Sequence, residues 1–353
     1  MSGKPDWRGG KTLVLWVLLC SSCMIVMLWW AAGKSIVIAD ATSKEQEISG
    51  TATQQDTLER YRLSLETEEG KARHFSIPLD PMIRAEQISI ENRYMERQLW
   101  IYIQSAHAAD YRDYVITGDL TPMVGGWAQQ QGDTVILKLQ MNTVKEYSIV
   151  MEEKKLYVEY ADPDERYDRI VVIDPRCGGE EIGLEAQGRL EKEITLQIAR
   201  KVKDLLDKSD IKAYFTRLED VAADMQERAL LVKDVNADLY VGISVGADPE
   251  DPEQFGTEVW YNGEYFLPEF GNLQLADLLE RQVTEAIVGR ANGLIQTEDP
   301  VLQRLTIPAA LIKAGYITHD REGQLLTSED YTDEIAEGIV AALQQAFSRL
   351  DTE

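Results

Sequence analysis

Ten residues, Ile170 to Gly179, constrain this chain more than any others: I-V-V-I-D-P-R-C-G-G. Four apolar, mostly β-branched residues run straight into Asp-Pro and a glycine pair. A run that is apolar on both faces is the pattern of a strand buried inside a parallel sheet. In open α/β sheets, ligands collect in the loops beyond the carboxyl ends of such strands. The sequence therefore points to Asp174 through Gly179 as the place for chemistry, and Gly178-Gly179 suits a tight backbone there.

The residues that follow keep the alternation of strand and helix. Ile194, Ile198, Val202 and Leu205 recur at helical spacing, which puts Glu191 at the start of an amphipathic helix. Tyr240 to Val245 reads as the next core strand, with Ser244 at its end. Leu275, Leu279, Val283 and Ile287 form another helical stripe. Ala309 to Ile312 is a strand leading to Lys313, and Ile335, Ile339, Leu343 and Phe347 mark a closing helix. Alternation of this kind predicts an α/β domain over 163–353, three layers α/β/α around a mainly parallel sheet.

Several segments of this domain stand in a telling order. After V-V-I-D-P-R-C-G-G come G-R-L-E-K-E-I-T-L at Gly188 to Leu196, then Thr216, Arg217 and Asp220. E-R-A-L-L-V-K-D-V-N-A-D-L-Y-V-G-I-S-V-G-A spans Glu227 to Ala247, G-T-E-V spans Gly256 to Val259, and P-A-A-L-I-K-A-G-Y-I-T-H spans Pro308 to His319. In the same order these resemble V-V-I-D-P-G-H-G-G, G-x-x-E-K-D-I-N-L, T-R-x-x-D, E-R-x-x-x-A-N-x-x-x-A-D-L-F-I-S-I-H-A-N-A, G-T-E-V and P-A-V-L-I-E-L-G-F-I-T-N of the zinc-dependent N-acetylmuramoyl-L-alanine amidases. Those enzymes cleave the bond between the peptidoglycan glycan and its stem peptide.

The resemblance implies a role for four positions. The family's first zinc histidine falls on Cys177, its zinc glutamate on Glu191, its second zinc histidine on Ser244, and its catalytic glutamate on Lys313. Of the zinc positions only Glu191 is retained, and no catalytic group is intact. A catalytic zinc needs about three protein ligands and an open position for water. A neutral serine hydroxyl is a poor ligand, and an ammonium at 313 removes the general base and repels a cation. The expectation is a chain without zinc, in which Lys313 pairs with Glu191 in place of the metal; simple drift after loss of catalysis is the competing reading. Asp174, Arg176, Cys177, Glu191, Ser244 and Lys313 are the expected pocket-lining residues.

The residues allow other arrangements. Cys177 as a nucleophile needs a base and a lowered pKa, and the three histidines, His74, His107 and His319, form no known spacing with it. A rebuilt zinc set of Cys177, Glu191 and His319 is a minor alternative. Asp174, Arg217, Glu227 and Arg228 read as structural. Asp248 to Glu253, D-P-E-D-P-E, reads as an acidic loop beside the pocket.

The first half of the chain is of a different kind. Thr12 to Ala32 is one apolar run, about the length that spans a bilayer. Lys4, Arg8 and Lys11 precede it and acidic sequence follows Lys34, which places residues 1–11 in the cytoplasm, a single-pass anchor at 12–32, and the rest outside; a cleaved signal peptide is the alternative. Residues 33–73 are polar and read as a stalk, with a weak helix around Leu58 to Leu65. From 74 to 162 the period becomes two: Gln98 to Gln104 and Thr134 to Met141 alternate as half-buried strands, Tyr147 to Met151 and Lys155 to Tyr160 form a hairpin, and Gly125-Gly126 marks a loop. This predicts a small antiparallel β domain. By position and strand pattern it resembles the AMIN-type targeting domains of some wall amidases.

Composition closes off other classes. Formal net charge is −25, which argues against broad contact with nucleic acid. Of three cysteines, Cys20 and Cys23 lie in the apolar run and Cys177 is alone, so no disulfide framework exists. Together these readings predict a membrane-anchored amidase homologue, catalytically inactive, that binds peptidoglycan or another cell-wall protein. The alternative is a divergent active amidase with a rearranged metal or cysteine site.

Overall fold

The computed structural model describes residues 38–40, 60–68, 73–265 and 267–351. The expected tail at 1–11 and the apolar run at 12–32, with Cys20 and Cys23, lie outside them. Among the described residues no helix is long and apolar enough to cross a membrane.

The first unit is built of strands β1 (Ile38–Asp40), β2 (Arg60–Arg62), β3 (Ser64–Thr67), β4 (His74–Pro78), β5 (Ile88–Arg93), β6 (Gln98–Gln104), β7 (Val115–Gly118), β8 (Met123–Gln131), β9 (Thr134–Met141), β10 (Glu146–Glu152) and β11 (Lys155–Ala161). One sheet has the order β1-β5-β6-β9-β8-β2 and the other β10-β11-β4-β7-β3. Pairing is antiparallel except for β1 with β5 and β3 with β7. Period-two alternation turns Leu99, Ile101 and Ile103 of β6 and Leu137 and Leu139 of β9 toward Ile77, Leu156 and Val158 of the other sheet, and these form one core.

Two expectations for this unit need correction. Part of the polar stretch 33–73 is strand, not stalk or helix. R-Y-R-L-S-L-E-T alternates apolar Tyr61, Leu63 and Leu65 with polar neighbours, so a strand buries Leu63 at 5% exposure where a helix would scatter those residues. Gly125-Gly126 is not a loop but lies within β8, where the register shifts. A Cβ on Gly126 would stand 3.0 Å from Leu63 and 3.1 Å from Leu139, so glycine here admits a close approach.

The second unit follows a short helix α1 (Pro163–Arg166). Its elements are β12 (Ile170–Pro175), the small pair β13 (Glu185–Ala186) and β14 (Arg189–Leu190), α2 (Glu191–Leu206), β15 (Lys212–Phe215), α3 (Met225–Asp234), β16 (Leu239–Gly246), β17 (Thr257–Tyr261), α4 (Asn272–Ala286), β18 (Ala291–Gln296), β19 (Ala309–Tyr316), α5 (Asp320–Leu325) and α6 (Glu329–Leu350). The sheet order is β15-β12-β16-β19-β17-β18, parallel throughout except for β17 against β19. Both faces of β12 and β16 are buried, as their uninterrupted apolar runs require. Val171, Ile173, Val241, Ile243 and Ile312 pack on α2, α4 and α6. The other face is thinner than a full helical layer: Ile170, Val172, Tyr240 and Leu311 meet α3, Leu302 and Leu305, together with Tyr94 and Val144 of the first unit.

The two units therefore share a core at the edge strand β15. The Tyr94 hydroxyl accepts from Phe215 N at 3.0 Å and donates to Phe215 O at 3.1 Å, so it satisfies a residue on the unpaired side of the sheet. Beside it Tyr214 donates to Glu146 at 2.5 Å, and Lys212 pairs with Asp40 at 2.9 Å and Glu146 at 3.5 Å. Replacing Tyr94 with Phe leaves the Phe215 amide and carbonyl buried and unpaired. The expected cost is about 1–3 kcal/mol in urea denaturation of the chain; an unchanged midpoint would show that this bond does not hold the joint.

Candidate functional site

Beyond the carboxyl ends of β12, β16 and β19 lies a cleft of about 710 Å³. Its lining includes Arg176, Cys177, Glu191, Ser244 and Lys313, five of the six residues expected there. The sixth, Asp174, sits behind the wall, fully buried. Its carboxylate accepts from Thr216 Oγ1 at 2.5 Å, from Arg228 and from the Tyr240 hydroxyl, with Arg176 Nε at 3.2 Å. Burial pushes this carboxyl up, but Arg228 and Arg176 outweigh it and hold the group below the usual carboxylate range.

Arg217 supports the loop that follows. It is fully buried and donates to the carbonyls of Pro175, Arg176, Lys192 and Glu219 and to Thr195 Oγ1, at 2.8 to 3.1 Å. Burial, then Arg228 nearby, lower its pKa to about 10. Gly178 at φ 136 passes so close that a Cβ would meet Val221 O at 2.2 Å. The structural reading of Asp174, Arg217 and Arg228 thus agrees with their geometry.

The three positions that the resemblance implies for zinc do come together. Glu191 opens α2 and points into the site. Its Oε1 accepts from Ser244 Oγ at 2.6 Å and from Val245 N at 3.4 Å; its Oε2 accepts from Leu184 N at 2.9 Å. Gly183 lies against both partners, since a Cβ there would stand 2.5 Å from Glu191 Oε2 and 2.6 Å from Cys177 Sγ. The Cys177 thiol is pushed up to about 12 by burial, then by Glu191 and Glu181, so it is protonated at neutral pH.

The donor chemistry does not fit zinc. The Ser244 hydroxyl, which donates a hydrogen bond to Glu191, is a neutral and weak zinc ligand, so Cys177 and Glu191 are the two donors present, one short of the usual three. Among the described residues no group of three His, Cys, Asp or Glu could hold a metal ion. His319 is not a replacement ligand, because its Nδ1 accepts from Glu322 N at 3.1 Å, capping α5, while its ring packs on Phe255.

Lys313 corrects another expectation: it forms no ion pair with Glu191. On β19 it stands opposite Glu258 of β17 and Ser244 of β16. Its Nζ is 3.6 Å from Glu258 Oε1 and 3.4 Å from the centre of the Trp260 ring. Glu258 is fixed in turn by Trp260 Nε1 at 2.8 Å and the Tyr316 hydroxyl at 3.0 Å. Burial lowers the pKa of Lys313, opposed by Glu258 and more weakly by Glu191. Glu258 and Trp260 were missed in the sequence; their signal is the two-residue spacing in T-E-V-W-Y, which puts both on one face of β17 beside Lys313. The acidic loop Asp248 to Glu253 does not line the cleft: Asp248 accepts from Glu250 N and Asp251 N and closes its own turn.

The buried thiol makes a pH-dependent test. An unfolded cysteine titrates at about 8.5, whereas folded Cys177 titrates near 12. Its stabilising contribution is therefore complete below the unfolded value and is lost as pH rises from there toward the folded one. Stability of the wild type should fall more steeply across that window than stability of Cys177→Ala, measured by urea denaturation; identical slopes would show that the thiol titrates normally in the folded state.

Comparison with known proteins gives the family of the second unit. Residues 171–345 match the N-acetylmuramoyl-L-alanine amidase family. The germination-specific N-acetylmuramoyl-L-alanine amidase of Bacillus subtilis is 28% identical over 196 residues, 51% of this chain and 80% of that protein. The probable cell wall amidase LytH of Staphylococcus aureus is 25% identical over 183 residues, 51% of this chain and 59% of that protein. An N-acetylmuramoyl-L-alanine amidase of Clostridium difficile 630, known from a crystal structure, is 32% identical over 52% of this chain and 98% of its own, with a TM-score of 0.48. Through its second unit, this chain belongs to the N-acetylmuramoyl-L-alanine amidase family.

Proposed function

We propose that this chain is a non-hydrolytic member of the family, anchored in the membrane by residues 12–32 with its N-terminus in the cytoplasm. It would bind peptidoglycan or another wall protein and so direct or regulate wall remodelling. The observation that carries this reading is the Ser244–Glu191 hydrogen bond at 2.6 Å, with Lys313 on the neighbouring strand. A carboxylate already satisfied by a hydroxyl and two backbone amides has no need of a metal, and a neutral hydroxyl is a weak ligand for zinc.

The cleft remains suited to binding. Its wall carries Trp260 and Leu311, and its mouth is flanked by Leu184 and Met225, exposed at 37% and 39%. Apolar walls with a few fixed polar groups are the usual composition of a ligand cleft. The family supplies the ligand class, peptidoglycan. The apolar run at 12–32, flanked by Lys11 and Lys34, supports the anchor.

Purified sacculi provide the test. The chain should pellet with sacculi, or with a wall protein bound to them, and release no stem peptide. The triple variant Cys177→His, Ser244→His, Lys313→Glu should bind about one zinc per chain and gain measurable release. Stem-peptide release by the wild type, sensitive to Cys177→Ala or to chelation, would instead establish a divergent active amidase.

A further inference from the structure

The short chain segment between the proposed anchor and the first strand says how the body stands on the membrane. We infer that the face carrying the amino ends of the second unit's sheet strands lies against the lipid surface, and that the cleft opens away from it. The inference rests on the anchoring proposed above.

Ile38 begins β1, six residues past Ala32. Six Cα steps at 3.3–3.6 Å reach roughly 20 Å when fully extended. The headgroup layer takes about 5–7 Å of that, which leaves Ile38 within about 14 Å of the lipid surface. Ile38 lines one hollow with Asp40, Arg166, Tyr167 and Lys212. Tyr167 lies just before β12 and Lys212 is the first residue of β15, so this hollow is at the amino ends of the strands. The cleft is at their carboxyl ends.

The length of β12 separates the two. Its six residues span five steps of about 3.3 Å, roughly 17 Å from end to end. A cleft pressed to the bilayer would lift Ile38 farther than the tether reaches. The joint transmits this constraint from one unit to the other: β1 is paired in register with β5, Asp40 binds Lys212, and Tyr94 and Glu146 hold Phe215 and Tyr214. The amidase-like cleft is thus held low but faces outward, toward wall material.

The full chain, with Cys20, Cys23 and Cys177 changed to Ser, would be reconstituted into phosphatidylcholine vesicles. Single fluorescent labels would be placed through Asp207→Cys, in a hollow shared with Asp40 and Lys212, or Met225→Cys, at the mouth of the cleft. A nitroxide lipid headgroup should remove most of the Asp207→Cys signal and leave that of Met225→Cys. Equal quenching, or stronger quenching at Met225→Cys, in a chain that floats with the vesicles overturns the orientation alone. A folded chain that does not float overturns the anchor and the orientation with it.

Discussion

Asp174 is a charge that the second unit cannot hold without help, and most of the site's framework is arranged to hold it. A buried carboxylate is costly unless it is paired and hydrogen-bonded. Here the residue just past β15 is Thr216, β16 supplies Tyr240, α3 supplies Arg228, and the loop after β12 supplies Arg176. Three segments distant from β12 in sequence are tied to it at one point beneath the cleft. Arg217 then fixes the next turn of chain through neutral carbonyls, and that turn delivers Cys177 in a left-handed conformation at φ 66.

What the frame presents is a different chemistry. Glu191 is solvated by Ser244 and by the amides of Leu184 and Val245, which do locally what a bound cation does in a metalloenzyme. Lys313 is held back by Glu258 and Trp260, so it lines the cleft without closing on Glu191. The result is an open, partly apolar cleft in which Glu191 is hydrogen-bonded and Arg176 is paired with Asp299, while Arg176 Nε is buried without a hydrogen bond. A cleft with apolar walls and a few fixed polar groups has the composition of a ligand site. The joint at Tyr94 ties the sheet beneath it to the β unit.

Much of this was legible in the sequence, for reasons that can be named. I-V-V-I-D-P fixes a doubly buried strand, and the helical stripes beginning at Ile194, Leu275 and Ile335 identify the three helices on one face, because burial dictates apolar period. The convergence of Cys177, Glu191, Ser244 and Lys313 followed from the ordered resemblance. The partner of Lys313 did not. An ion pair is chosen by angles and distances across strands, and β17 runs antiparallel to β19, a reversal that periodicity does not reveal. The early strands β2 and β3 were obscured by polar composition, although Tyr61, Leu63 and Leu65 alternate. Gly126 looked like a turn because glycine's two uses, positive φ and close approach, read alike in one dimension.

The account turns on whether this folded site takes a metal. Zinc per chain, measured by elemental analysis on purified, folded full-length protein after dialysis against micromolar zinc and then metal-free buffer, addresses that directly. The account predicts essentially none, because Ser244 is a weak neutral ligand and leaves Cys177 and Glu191 one donor short of a catalytic set. About one zinc per chain, the occupancy of a catalytic site, would contradict it and would require a ligand set that forms only when the metal arrives.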